Sequence, residues 1–498
     1  YMWFDYSRNE AGRVIGAVLI ILLLPLVSLA ADPAGSWEGA IELPGLSLKY
    51  SVDLTQDSTG AWIGTIEIPD QGAKDLPLSG IVAAGDSLAF VIAGVPGDPT
   101  FRGALDADSK NVAGTFTQNG QAFPFAMTRI DEALTSARAA EMDETLQKIR
   151  AFIDTTIKEF KTPGLAIAIV KDDQVIMAEG FGRRNVEQNL PVTAQTLFPI
   201  GSSTKAFTTC VLAMLADSGK IDWNVKVVEY LQEFRLKDPY ITSHATVRDL
   251  VTHRIGLPRH DLMWYGSPFS REEMLRRLQY LDFSEDFRTA FQYQNLMFMT
   301  AGYMAGKVAG TSWEDLIRTR IFTPLGMTHS SFTINDMQQE PDWAQGYRDS
   351  SEQIVLMPCR DIEAIGPAGS INSSVEQMAN WVRLHLNNGE LDGARLVSEA
   401  QMLELHSPHF VFDHSGGPYH EHLMSSYGLG WFIEAYRGHY RVHHGGNIDG
   451  YSALVSFLPD DRIGMVVLTN QNGSPSPGLV SSYATDLLLG LDPVDYAG

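Results

Sequence analysis

The segment FPIGSSTKAFTTCVLAML, residues 198–215, sets Ser202 three residues before Lys205 at the mouth of an apolar helix. A serine hydroxyl is a poor nucleophile until a nearby base takes its proton. Helix positions i and i+3 share a face, so this spacing brings the two side chains together. The positive end of the helix favours negative charge developing near the serine. Burial and the same helix end lower the lysine pKa, so that the amine accepts a proton near neutrality. Taken alone, the spacing fits a plain helix cap at Ser202, Ser203 or Thr204 equally well.

Two further stretches have suitable chemistry. Tyr293-Gln294-Asn295 stands just before the apolar run LMFMTAGYMAG. A tyrosine there can shuttle a proton and an asparagine amide can bind a substrate carbonyl, although a turn entering a helix looks the same. His444-Gly445-Gly446-Asn447 opens the run VHHGGNIDGYSALVSFLP. The glycines let a substrate lie against a strand edge, and the Asn447 N–H can donate to an oxyanion. A glycine-rich hairpin is the plain alternative. Histidines 406, 409, 414, 420 and 422 crowd the stretch HSPHFVFDHSGGPYHEH. They lack H-E-x-x-H or similar ligand spacing, so a flexible polar loop is expected and neither metal nor cofactor. The chain has no G-x-S-x-G elbow, which argues against an α/β-hydrolase.

These residues need elements to position them. From about Ala34 to Arg129 the pattern has period two, as in LSLKYSVDL, WIGTIEI, LAFVIAG, FRGALDAD, VAGTFTQNG and FPFAMTRI. Turn residues separate these runs at the spacing of a small antiparallel sandwich or barrel, read as a packed module. The period then changes. Leu146, Ile149, Ile153, Ile157 and Phe160 form one helical stripe, reached through a linker at 131–143. GLAIAIVKDDQVIMAEGFG reads as a hairpin about Asp172-Asp173. Helical stretches fill the middle, and strands return near the C-terminus. The expected fold is therefore α+β: one antiparallel sheet built from both ends of residues 144–498, with a helical insertion.

The length of 498 residues suits more than one domain, and 44% hydrophobic with 19% charged residues describes a folded chain. A formal charge of −23 makes nucleic acid an improbable partner. Arg8 and Arg13 precede the apolar run Val14–Leu29, and Ser28 and Ala30 suit a signal-peptidase cut. Residues 1–31 are thus expected to be a signal peptide, with an uncleaved membrane anchor as the alternative, and the chain to be exported, periplasmic or secreted. Two cysteines, Cys210 and Cys359, allow one bridge.

In this order, S-x-x-K, Y-x-N and H-x-G resemble the serine β-lactamase and penicillin-binding-protein superfamily, and the class C β-lactamase-like branch in particular. LADSGKIDWNVKVVEYL, ATVRDLVTHRIGLP, IFTPLGMTHSSF and PAGSINSSVEQMANWV support the resemblance across 144–489. It implies a Ser202 acyl-enzyme, with Lys205 and Tyr293 sharing acid–base work. Asn295 would hold the substrate amide or the lysine, and the N–H groups of Ser202 and Asn447 would form an oxyanion hole beside Gly446. His444 takes the position where β-lactamases usually have lysine, and His443 is read as structural. The expected substrates are small esters, D-amino-acid peptides or amides, ahead of β-lactams. The competing expectation is a weakly active binder of peptidoglycan-like ligands.

Overall fold

The computed structural model describes residues 32–494, except 72, 352 and 413–420. The apolar run Val14–Leu29 and His414 and His420 lie outside the described residues. Among the described residues, no helix is long and apolar enough to cross a membrane. Two compact units meet in sequence at Met142 and Asp143.

The first unit is a closed barrel of eight antiparallel strands. These are β1 (Gly35–Leu43), β2 (Leu46–Gln56), β3 (Trp62–Ile68), β4 (Ala73–Ala84), β5 (Ser87–Ile92), β6 (Thr100–Leu105), β7 (Asn111–Gln118) and β8 (Gln121–Arg129). β1 pairs with β8, Ile41 opposite Phe125, and so closes the sheet. The period-two pattern puts Trp37, Tyr50, Phe90, Phe101, Phe116 and Phe125 inside, all buried. Phe101 lies at 4.7–5.1 Å from the rings of Tyr50, Phe90, Phe116 and Phe125. Such a stack fills an eight-stranded barrel with side chains. β1 and β4 are absent from the runs quoted above. In β4 the alternation is broken by Pro77 and by a register shift between Ser79 and Val82, next to Gly80 at φ +58°.

The expected linker at 131–143 is instead helical. Helix α1 runs unbroken from Glu132 to Glu159. Asp131 accepts the N–H of Leu134 at 2.8 Å, which caps the helix, and no glycine or proline interrupts the sequence that follows. Leu146, Ile149 and Ile153 are buried, and Phe152 stacks on Tyr483 at 3.9 Å.

The second unit holds a nine-stranded antiparallel sheet. Its strands are β9 (Gly164–Lys171), β10 (Gln174–Asn185), β11 (Leu190–Pro191), β12 (Phe410–Val411), β13 (His422–Tyr427), β14 (Phe432–Tyr436), β15 (His439–Ile448), β16 (Tyr451–Leu458) and β17 (Ile463–Thr469). Their order is β11-β10-β9-β17-β16-β15-β14-β13-β12. β17 pairs with β9, so the two ends of the unit are neighbours in the sheet centre. β9 and β10 turn on Asp172 (φ 49°) and Asp173 (φ 65°), the positive-φ pair that a two-residue hairpin turn needs. Helices α2 (Thr204–Asp217), α3 (Asn295–Ala309), α4 (Val375–Leu386) and α5 (Ser476–Leu488) flank or precede these strands. A Cβ on Gly464 of β17 would lie 2.3 Å from Val382, which shows how closely α4 packs on the sheet.

The open cysteine question is answered here, and one sequence expectation changes. Cys210 is buried, Cys359 is half-buried, and both are free thiols. His406, His409 and His422 are not in a flexible loop. His406 ends a short helix, Glu399–His406, with its ring 2.9 Å from that of His385. His409 Nε2 is 2.9 Å from the Glu404 carbonyl, and His422 sits in β13, 3.0 Å from Glu434. Strands β12 and β13 give the described part of that stretch backbone partners that its polar composition conceals.

Candidate active site

The chain enters the site through a single 3-10 turn, Gly201–Ser203, that leads directly into α2. Gly201 has φ +53°, and a Cβ there would stand 2.9 Å from the Asn447 nitrogen. Only glycine meets both conditions cheaply. Neither Ser202 nor Ser203 caps the helix with its side chain. Ser203 instead donates to the His444 carbonyl at 3.1 Å, and the half-buried Ser202 hydroxyl faces Lys205.

Lys205 is fully buried. Its Nζ lies 2.9 Å from Ser202 Oγ, 2.9 Å from Asn295 Oδ1 and 2.8 Å from the Ala368 carbonyl. Among the described residues no carboxylate forms an ion pair with it. Burial therefore pushes its pKa well below the usual lysine range, and the Arg259 charge adds to this, with Asp261 opposing. Nζ thus has three oxygen partners, Ser202, Asn295 and Ala368, and none of them is a carboxylate.

Tyr293 behaves in the opposite sense. Burial raises its phenol above the ordinary range, against a hydrogen bond to Ser202 and the Arg259 charge. Its ring centre is 4.9 Å from Lys205 Nζ and stacks at 4.3 Å on His253. His253 Nδ1 accepts the Gln294 N–H at 3.0 Å, and Gln294 Oε1 takes the Leu296 N–H to cap α3. Asn295 is the first residue of that helix, so its amide reaches Lys205 from a rigid element.

The opposite wall is β15. His444 is buried, with Nε2 at 3.0 Å from the Tyr427 hydroxyl and Nδ1 at 2.6 Å from the Gly445 carbonyl. Burial lowers its pKa to about 3. The ring is thus neutral at pH 7. A Cβ on Gly446 would stand 1.9 Å from the Ile200 carbonyl and 3.0 Å from the Ser202 nitrogen. The backbones of the nucleophile turn and of β15 therefore come together only because residue 446 is glycine. Asn447 turns its side chain away, accepting the Gly473 N–H at 2.7 Å and the Ser452 hydroxyl at 3.0 Å.

Ser202, Tyr293, His444, Gly446 and Asn447 line one open cavity of about 620 Å³. Lys205 and Asn295 close its floor through the bonds above. The sequence singled out none of Ala368, Arg259, Asp261 or His253 for chemistry. Ala368 and His253 lie inside stretches quoted only for their resemblance, and Arg259 follows directly after one of them. Arg259 lines the cavity. Its Nε donates to Asp261 at 2.7 Å, while Asp261 also accepts Asn295 Nδ2 at 3.3 Å and Trp264 Nε1 at 2.9 Å.

The chain is similar to several known proteins. The Beta-lactamase family profile matches residues 149–489. The unguisins hydrolase ungD' of Aspergillus campestris is 30% identical over 357 residues, covering 69% of this chain and 64% of that protein. The chain covers 59% of the related unguisins hydrolase ungD of Aspergillus violaceofuscus, so it spans under two thirds of both. Protein flp of Staphylococcus aureus is 24% identical over 351 residues, 70% of this chain and 67% of its own. An octameric penicillin-binding protein homologue from Pyrococcus abyssi superposes with a TM-score of 0.62 at 28% identity, over 70% of this chain and 78% of that one. The D-amino acid amidase of Ochrobactrum anthropi SV3 shares the fold, with a TM-score of 0.57 at 18% identity, over 70% and 98% of the chains.

Proposed function

The chain belongs to the beta-lactamase family, and from that membership we propose that it is a serine hydrolase acting through an acyl-enzyme on Ser202. One observation carries the reading: a buried lysine with no carboxylate partner among the described residues, 2.9 Å from a serine hydroxyl. As Ser202 Oγ attacks the substrate carbonyl, its proton passes to the neutral Lys205 amine. The Ser202 and Asn447 N–H groups receive the oxyanion, an interaction worth roughly 3–4 kcal/mol per donor in comparable hydrolases. Tyr293, a phenol at neutral pH, protonates the departing alkoxide or amine and takes back a proton from the Lys205 ammonium, which restores both groups. Water then repeats the sequence on the ester to Ser202 and releases the acid.

The substrates are small esters or D-amino-acid amides and peptides, ahead of β-lactams. The neutral His444 ring supports this order, because it offers no charge where a β-lactam carboxylate would need one. The basic and apolar N-terminal residues support action outside the cytoplasm.

The test is labelling by a fluorophosphonate and a fluorescent penicillin, together with turnover of a p-nitrophenyl ester. Ser202→Ala abolishes labelling and cuts turnover by about 10³-fold or more. A wild-type protein that binds but does not turn over any acyl substrate would instead be a penicillin-binding-like receptor. A Ser202→Ala protein that still acylates would refute the assignment.

A further inference from the structure

We propose that the cleft continues onto the opposite face of the sheet as an apolar subsite between Gly445 and Gly478, which takes the leaving portion of the substrate. The inference rests on the serine-hydrolase reading above and names the substrate class of that site: esters or amides whose departing group is apolar.

Side chains alternate across β15, so its even and odd residues serve different faces. His444 and Gly446 face Tyr293 and the nucleophile turn. Arg441 instead reaches Ser481 of α5 at 3.5 Å, and Asn447 takes the Gly473 N–H. Gly445, between those two, therefore faces α5 as well. β14 pairs with β15 only as far as His443, and from His444 onward the strand partner among the described residues is β16 alone. The strand edge is open there, and the cavity crosses it. Ser202 lines one side, while Gly445, Leu454, Pro477 and Gly478 line the other.

Two glycines keep this passage open, and the backbone needs neither of them. Neither Gly445 nor Gly478 has a positive φ. A Cβ on Gly445 would meet only the Ala453 carbonyl, at 3.6 Å, and one on Gly478 would meet nothing within 4 Å. Gly478 moreover stands in the first turn of α5, where glycine lowers helix stability relative to alanine. The space that these glycines leave accounts for them.

The polar groups on this side are already engaged. The Ser452 hydroxyl donates to Asn447 at 3.0 Å and accepts the Ser474 N–H at 3.0 Å, and Ser474 Oγ lies 3.1 Å from Ser476 Oγ. Among the described residues, none lining this side is charged. A guest is therefore held by burying apolar surface against Leu454, Pro475 and Pro477. Its orientation follows from Tyr293, the group assigned to protonate the leaving atom. That ring is 6.4 Å from the ring of His444, whereas the oxyanion donor is Asn447. The leaving atom thus lies at the His444 end of the open edge, and Gly445 is the next residue along it.

The probes are phenyl acetate, 4-butylphenyl acetate and phenyl hexanoate. The last two add the same four carbons, one to the leaving phenol and the other to the acyl chain. The two phenols differ little in acidity, so their acetates compare binding rather than leaving ability. A buried methylene is worth about fourfold, and partial burial of the butyl chain gives wild type a kcat/KM preference of about tenfold or more over phenyl acetate. Phenyl hexanoate gains clearly less. Gly445→Val and Gly478→Leu each return the leaving-group ratio to about one by filling the passage. Gly478→Leu also replaces a helical glycine, so its Tm stays at or above that of wild type and the lost ratio is not unfolding. A wild-type ratio at or below one overturns the proposal, as does a Gly478→Leu enzyme that keeps the wild-type ratio. Phenyl hexanoate gaining as much as 4-butylphenyl acetate overturns it too, because the subsite would then take the acyl chain. Failure of the hydrolase reading looks different: none of the three esters would release its phenol through Ser202.

Discussion

Ser203 donates its hydroxyl to the carbonyl of His444 at 3.1 Å, so the residue beside the nucleophile is tied to the strand forming the opposite wall. The Ile200 carbonyl and Gly446 make the second link, with room for no side chain between them. The nucleophile turn and β15 consequently act as one piece. The distance between the Ser202 and Asn447 nitrogens is set by backbone packing, which an oxyanion site requires of its donors.

That packing is open to a single-atom test. Gly446→Ala places a methyl 1.9 Å from the Ile200 carbonyl, and relief requires the strand and the turn to separate. Loss of one oxyanion donor by this route costs about 10²–10³-fold in kcat. Gly445→Ala meets nothing nearer than the Ala453 carbonyl at 3.6 Å and costs far less. Steady-state kinetics with circular dichroism on both variants separates a site effect from unfolding. A Gly446→Ala enzyme within a few-fold of wild type would show that the two walls can part freely.

The chemistry at this site was more legible in the sequence than the environment that tunes it. Ser202-x-x-Lys205, Tyr293-x-Asn295 and His444-x-Gly446 each have a plain alternative alone but few joint explanations in this order, and the fold brings all of them around one cavity. Arg259 and Asp261 are common surface residues in a loop without a motif, and only packing puts them beside Tyr293 and Asn295. The same contrast holds for the fold. The hairpin at Asp172-Asp173 is written locally in its turn residues. β4 is hidden by its bulge, and the helical state of 131–143 depends on a cap at Asp131 and on the absence of breakers. His444 shows the limit most clearly: its type suggests a titrating group, yet burial keeps it neutral.

The charges flanking Lys205 make a signed prediction about pH. Burial lowers the lysine pKa, Arg259 lowers it further, and Asp261 raises it. Activity requires the neutral amine, so the acidic limb of kcat/KM reports this pKa. Arg259→Gln removes a cation, raises the pKa and moves the limb to higher pH. Asp261→Asn removes an anion, lowers the pKa and moves the limb to lower pH. Profiles for a neutral p-nitrophenyl ester, whose own charge is constant, check both directions. Shifts of the same sign in the two variants would mean that another group controls the limb.

Buried histidines make the last prediction, which concerns stability. His385 and His406 face each other at 2.9 Å, packed among Trp431 and Phe457, and burial is the largest cause of their lowered pKa values. His406 falls to about 3. In the unfolded chain a histidine titrates near 6.5, so below that pH the unfolded state binds protons that the folded state refuses. Their contribution to stability is complete above about pH 6.5 and is lost as pH falls towards the folded value. Each such histidine adds a slope of about 1.4 kcal/mol per pH unit in that window. His406→Leu removes one titrating group while keeping an apolar side chain in an aromatic pocket. Urea unfolding between pH 6 and pH 4 should therefore show a variant whose stability falls less steeply with acid, by about that slope. Its stability at neutral pH is separately lower, because His385 loses its partner. Equal slopes in the two proteins would mean that His406 takes up its proton without unfolding.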